Sequence, residues 1–285
     1  MKFTNGATAV EELRLRYPRA LMSLTEFLSR RKFMLACGAA AVSLSAPTSL
    51  VAQRAPWHKR REVPAPMSDE NTVRCVRAET GIRMNPDPSD AFWRGAQPVY
   101  MERNRFGKLV NGYRTAVYTR WTDRNLYILY SCPYEVLHLH PNPRTTTKTW
   151  ELWNWDVAEA FIGWDFNKIE AYKEFEMSPQ EEYIDLDIDL TSATRGLGMS
   201  WSSGYDVAAH IDKEKKIWNG MMKIPFPAIL PPDKPAPEVG EKLRVNFFRC
   251  QGPEKKRVMM AWQPPMAETF HKPAKFGTMV LVDKA

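Results

Sequence analysis

Tyr183–Leu190 alternates without a break, with Ile184, Leu186, Ile188 and Leu190 separated by Asp185, Asp187 and Asp189. A period of two fits a strand with one buried and one wet face, because successive side chains of an extended chain point to opposite sides. Short runs of this kind recur along the chain. Tyr113–Trp121 and Asn125–Cys132 flank the tight loop Thr122-Asp123-Arg124, and Asp156–Trp164 is followed by Ala171–Met177. Asp206–Ile211 and Lys216–Ile224 flank a charged turn, and Leu243–Cys250, Val258–Trp262 and Gly277–Val282 close the chain. No long stretch has helical periodicity; only Pro88–Ala96 and Phe226–Leu230 read as short helical turns. Many short strands punctuated by Pro, Gly and Asp predict an all-β fold, an antiparallel β-sandwich or jelly roll. The Pro-rich loop Pro231–Pro235 is expected to cross between its sheets.

The predicted strands begin well inside the chain. Upstream lies Ser29-Arg30-Arg31-Lys32-Phe33-Met34-Leu35, followed by an Ala-rich apolar run to Ala46 and small residues before Gln53. Basic, then apolar, then small is the order of a signal peptide, here of the twin-arginine kind, with cleavage expected near Ala52. The apolar run is too short to cross a bilayer stably, so no stable membrane span is expected in the mature form. Cys37 falls within this signal, and Met22 is a more natural start than Met1 for so long a leader. These features predict export by the twin-arginine route to the periplasm or beyond. Residues 1–52 are thus read as the signal, the Arg- and Pro-rich residues 53–71 as a linker, and 72–285 as one domain.

The whole chain carries 40 Lys and Arg against 33 Asp and Glu, but residues 1–52 hold seven of the former and three of the latter, leaving 33 against 30. Much of the basic character therefore belongs to targeting, and no footprint for nucleic acid remains. Lys213–Lys216 and Glu254–Arg257 read as solvated hairpin tips. Beyond the signal stand Cys75, Cys132 and Cys250; three thiols allow one bridge at most, or buried free thiols, and no Cys-x-x-Cys spacing suggests zinc.

Trp153-Asn154-Trp155-Asp156-Val157-Ala158-Glu159 is the densest group of functional side chains. In an extended chain Trp153, Trp155, Val157 and Glu159 share one face. An indole beside a carboxylate suits a sugar ring, which stacks its C–H face on the indole and donates hydroxyl hydrogen bonds to the carboxylate. The same pattern also describes a core strand with a charged rim.

Five segments, in order, resemble carbohydrate-binding module family 9. They are Ala91-Phe92-Trp93-Arg94-Gly95-Ala96, Asn125–Tyr130, Asp156-x-x-Glu159-x-Phe161-Ile162, Trp218 through Ile224-Pro225-Phe226, and Trp262 through Lys272-Pro273-Ala274-Lys275-Phe276-Gly277. The resemblance covers residues 75–283 and implies a β-sandwich, often with structural calcium, that binds chain ends of glucan or xylan and small sugars. By motif it implies that Trp153 and Phe270 are the two sugar-stacking aromatics and Glu159 the sugar-binding carboxylate, with Asp156 a structural rim residue. Two departures stand out: the family arginine falls on Glu176 and the family asparagine on Ala267. Trp155, Trp201 and Trp262 are further stacking surface or core, and His271 either bonds a sugar hydroxyl or holds the closing loop. The resemblance also implies an accessory role to glycoside hydrolases, which here would be separate exported proteins.

Other groupings carry less. Asp165, Asn167 and Glu170 offer hard oxygens for calcium near one hairpin, as do Asp185, Asp187 and Asp189, although solvated turns explain both. His138 and His140 alternate as a metal-binding pair would on a strand, although a loop beside Pro141 is the simpler reading. No Gly-x-Ser-x-Gly, phosphate loop or dinucleotide fingerprint is present, and no catalytic motif marks the chain as an enzyme. Two alternatives stay open: a haem-binding sandwich using residues such as Met221, Met222, Met259 or Met260, and a non-catalytic interaction subunit with a degenerate sugar cleft.

Overall fold

A computed structural model describes residues 69–284, Pro235 excepted. The expected signal, the start at Met22, Cys37 and nearly all of the expected linker lie outside the described residues. Thirteen strands form among the described residues: β1 (Thr72–Arg77), β2 (Val99–Met101), β3 (Arg103–Asn104), β4 (Thr115–Trp121), β5 (Asn125–Pro133), β6 (Val157–Gly163), β7 (Ala171–Met177), β8 (Tyr183–Asp189), β9 (Asp206–Asp212), β10 (Ile217–Pro225), β11 (Lys242–Gln251), β12 (Val258–Ala261) and β13 (Gly277–Val282). Short 3-10 turns supply the remaining regular structure, two of them, Ala91–Trp93 and Phe226–Ala228, where helical turns were expected.

The main path runs β8-β7-β6-β11-β13-β1-β4-β5-β10-β9, with β12 beside β11 and β2 beside β4. Neighbours are antiparallel as expected, except that β1 runs parallel to both β13 and β4. The two ends of the path fold face to face. Ala158, Ala160, Ile162, Phe175, Val245 and Phe247 from one half meet Trp121, Ile128, Tyr130, Trp218 and Met222 from the other in the central core. Arg249 lies in this interior too, fully buried, donating to Thr115 Oγ1 at 2.9 Å and to the Pro133 carbonyl at 2.7 Å, so its charge is hydrogen-bonded rather than stranded.

Both sheet halves are also covered on their outer faces. Over β5 and β10, the turn bearing Trp93 and Ala96 packs on Tyr127, Leu129 and Met221. Over β6, β7, β8 and β11 a second apolar cluster forms. Two-sided burial explains why every residue of β6 is buried although its side chains alternate.

Ile184, Leu186 and Ile188 form the buried side that alternation expects, and it faces the outer cluster. The opposite side of β8 is not uniformly wet: Asp185 is buried against Lys148 Nζ at 2.8 Å, and Asp187 pairs with Lys173. These aspartates are engaged with lysines rather than gathered for calcium. Met221, Met222 and Met260 are fully buried packing residues. Cys75, Cys132 and Cys250 are all free and buried, which settles the thiol alternative.

Candidate functional site

The outer face of the β6–β7 hairpin follows from register. Glu159 on β6 stands opposite Glu176 on β7, and Phe161 opposite Glu174. Strand alternation then puts Glu159 and Phe161 on the same side as Tyr172, Glu174 and Glu176. On the other flank of β6, Phe248 of β11 lies opposite Glu159 and Cys250 opposite Val157. The aromatic residues form a stacked floor: Phe161 lies on Tyr172 at 5.5 Å and 22°, and Phe270 lies on Phe248 at 4.2 Å and 14°. His271 covers Phe161 at 5.3 Å, and its Nδ1 shares a 2.6 Å hydrogen bond with the Tyr172 hydroxyl.

The wall comes from the segment before β6, and here the extended reading of Trp153–Val157 fails. Leu152–Asn154 form a 3-10 turn, entered through Glu151 in the left-handed region at φ 61°. A non-glycine residue there is uncommon, and this one bends the chain so that Trp150 meets Trp153 edge to face, centroids 5.0 Å apart. Leu152 and half-buried Trp153 pack on the outer cluster. Trp150 is 55% exposed, and the sequence reading passed over it. Arg257 ties the turn down. Its guanidinium donates to the Trp153 and Trp155 carbonyls and, at 2.9 Å, to that of Gly252, so it is no part of a solvated tip.

Asp156 is structural, but it sits at no rim. It is fully buried and accepts from the backbone N–H groups of His138 (3.1 Å) and Gly252 (2.6 Å) and from Gln251 Nε2 (3.1 Å). Burial raises its pKa even against these hydrogen bonds.

Trp153, Glu159, Glu176, Phe270 and His271 thus converge on one cluster. Trp155 and Trp262 do not. Trp155 stacks on His138 at 4.6 Å, with His140 edge-on at 5.1 Å, so both histidines belong to a loop that packs on an indole. Trp262 leans on Phe247 in the central core. Asp165 closes a turn by accepting from the Asn167 N–H at 2.8 Å at an exposed hairpin tip.

The electrostatics of the cluster are unusual. Glu159, Glu174 and Glu176 are 2%, 3% and 0% exposed, and their ligand oxygens lie within 4.8 Å of one another. Burial first, and the neighbouring Glu174 second, push the Glu159 carboxyl up to about 8. Glu176 is raised well above the usual range by burial and then by Glu159 and Glu174. Cys250, whose thiol donates to Glu159 Oε1 at 3.4 Å, is likewise raised, mainly by burial.

Comparison with known proteins places this architecture. The profile of the family described as carbohydrate family 9 binding domain-like matches residues 87–284. A family 9 carbohydrate-binding module from Caldicellulosiruptor kristjanssonii, solved with cellotriose, superposes with a TM-score of 0.53 at 11% identity, over 75% of this chain and 95% of that one. A candidate carbohydrate-binding protein from Bacteroides uniformis gives 0.58 at 16% identity, over 74% and 97%. At these identities the likeness concerns the fold. An "Extracellular protein" of Arthroderma benhamiae is 26% identical over 144 residues, 46% of this chain; the match spans 63% of that relative's length. No helix among the described residues is long and apolar enough to cross a membrane. With its family profile matched from the turn before β2 to the end of β13, the chain belongs to the carbohydrate family 9 binding domain-like family.

Proposed function

We propose that this domain binds carbohydrate outside the cytoplasm, stacking a sugar ring on Trp153 with help from Trp150. The observation that carries the reading is family membership over residues 87–284 together with an indole pair at the edge of an aromatic, carboxylate-bearing cluster. The neighbour solved with cellotriose supports a glucan-type ligand, and the extracellular relative supports export. We assign export to the twin-arginine route, to the periplasm or beyond, and the partner in polysaccharide breakdown to a separate glycoside hydrolase. Phe270, Glu159 and Glu176 serve the site from below, since their burial keeps them from a ligand unless the closing loop lifts. His271 holds that loop through Tyr172.

The test is a glycan array followed by titration of the best oligosaccharide, read by tryptophan fluorescence. Binding that disappears in Trp153→Ala supports the proposal. No binding across β-glucans, xylans and their oligomers would overturn it.

A further inference from the structure

The fold satisfies its other deeply buried carboxylates individually. Asp156 accepts three hydrogen bonds. Glu182 accepts from Thr149 Oγ1 at 3.1 Å and from Ser178 Oγ at 3.4 Å. Asp185 accepts from the Ser203 N–H at 2.6 Å and pairs with Lys148. Glu159, Glu174 and Glu176 break this rule together. Among the described residues neither oxygen of Glu176 has a donor, nor does Oε2 of Glu174, so these two carboxyls have only each other, and Glu159 Oε1 has the Cys250 thiol. Among the described residues no Lys, Arg or His nitrogen comes within 4.0 Å of any of the three carboxylates. Buried acceptors left unpaired are costly, and three carboxyls in one dry space must either hold protons, the direction in which Glu159 and Glu176 are pushed, or share a cation.

A partner that answers the whole set in its ionised form is small, positive and able to take several oxygens at once. An amide or hydroxyl donor answers one oxygen, whereas an ion answers all three carboxylates. Oxygens bound to one calcium at about 2.3–2.6 Å are separated by at most about 5 Å across the ion. The three ligand oxygens here all lie within 4.8 Å of one another. Strand register sets this spacing, with Glu159 opposite Glu176 and Glu174 two residues along the same strand face. A rigid sheet is a better support for a small ion than a loop. A divalent ion on three carboxylates leaves one net negative charge. Arg257, whose field reaches both Glu159 and Glu176, offsets it without occupying the oxygens. Cys250 adds a fourth donor, of a second type, at the edge of the set.

We propose that Glu159, Glu174 and Glu176 bind a divalent metal cation beneath the aromatic cluster. Three carboxylate oxygens favour a hard ion, Ca²⁺ or Mn²⁺; recruitment of the Cys250 sulfur would favour Zn²⁺. The ion ties β6 to β7 directly under the segment that carries Trp150 and Trp153. The assignment stands apart from the sugar reading, because the ion is measured with no glycan present.

The full-length chain, stripped with chelator and dialysed, is titrated calorimetrically with Ca²⁺, Mn²⁺ and Zn²⁺, and its melting midpoint is followed with each. One of these ions is expected to bind one to one and raise the midpoint. Glu174→Gln and Glu176→Gln are near-isosteric and remove repulsion, so both are expected to fold, as checked by circular dichroism. Each should weaken the ion about tenfold or more, while Asp165→Asn leaves affinity unchanged. The proposal is overturned if none of the three ions binds at unit stoichiometry, or if both Gln variants keep wild-type affinity. Tight binding of a glucosamine oligomer with no metal binding would also overturn it, assigning the carboxylates to an ammonium group.

Discussion

Phe270 lies flat on Phe248, their ring centroids 4.2 Å apart and their planes within 14°. One face of the ring that the family register makes a sugar-stacking surface is therefore committed to the cluster beneath, and the side chain is 5% exposed. Phe270→Ala should cost about 3–5 kcal/mol of folding stability, as truncation of a packed aromatic does. Urea denaturation followed by circular dichroism measures this. A loss below about 1 kcal/mol would mean the ring is not a packing residue.

Trp150 and Trp153 should behave differently from Phe270 and from each other. Trp150 is 55% exposed and meets Trp153 by its edge. Trp150→Ala should change stability by no more than about 0.5 kcal/mol yet weaken the best glycan about tenfold, roughly 1.4 kcal/mol. Trp153→Ala should abolish binding and also destabilise, because Trp153 packs on the outer cluster. Parallel melts and fluorescence titrations of the two variants separate these outcomes.

Much of this arrangement is legible from residues alone, because hydrophobic period and turn chemistry are local. The strands from β4 to β13 all fall within a few residues of where alternation puts them. β1 escapes such reading because its partners, β13 and β4, are remote in sequence and lie parallel to it. β2 and β3 are too short, at three and two residues, to show a period. The extended reading of Trp153–Val157 fails at Glu151, where a left-handed backbone conformation that few non-glycine residues adopt starts a turn. Glu174 was visible as the member of Tyr172-x-Glu174-x-Glu176 sharing their face. Its meeting with Glu159 depends on hairpin register, which a loop of intermediate length leaves undetermined. Arg257 looked like one more charge on a hairpin tip, and only tertiary packing sets it on the carbonyls of Trp153 and Trp155.

Asp156 joins the loop at His138, the start of β6 and the end of β11 through three donors. Removing the carboxylate leaves the N–H groups of His138 and Gly252 without an acceptor and leaves the Gln251 amide with only the Val136 carbonyl. Asp156→Ala should therefore cost about 3 kcal/mol. Asp156→Asn keeps one acceptor oxygen and should cost less. Hydrogen exchange should show the Gly252 and His138 amides losing protection in Asp156→Ala before the amides of β5 and β10 do.

His271 makes one part of the stability sensitive to acid. Burial lowers its pKa below the ordinary 6.5; Glu174 pulls the other way, and Arg195 adds to the lowering. The folded state thus keeps the imidazole neutral, sharing its hydrogen bond with Tyr172, while the unfolded chain takes up a proton once the pH drops below about 6.5. In that window the unfolded state binds more protons, so stability rises with pH. This contribution is complete above about 6.5 and is lost progressively as the pH falls from there towards the folded-state pKa. His271→Asn keeps a polar side chain and removes the titration. The difference in unfolding free energy between wild type and His271→Asn should be flat from pH 7 to 8 and slope only below about 6.5, with the variant gaining on the wild type as acid is added. Urea denaturation of both proteins across pH 5 to 8 measures it. A difference that stays level through the acid limb would show that the imidazole charges as readily in the folded protein as in the unfolded chain.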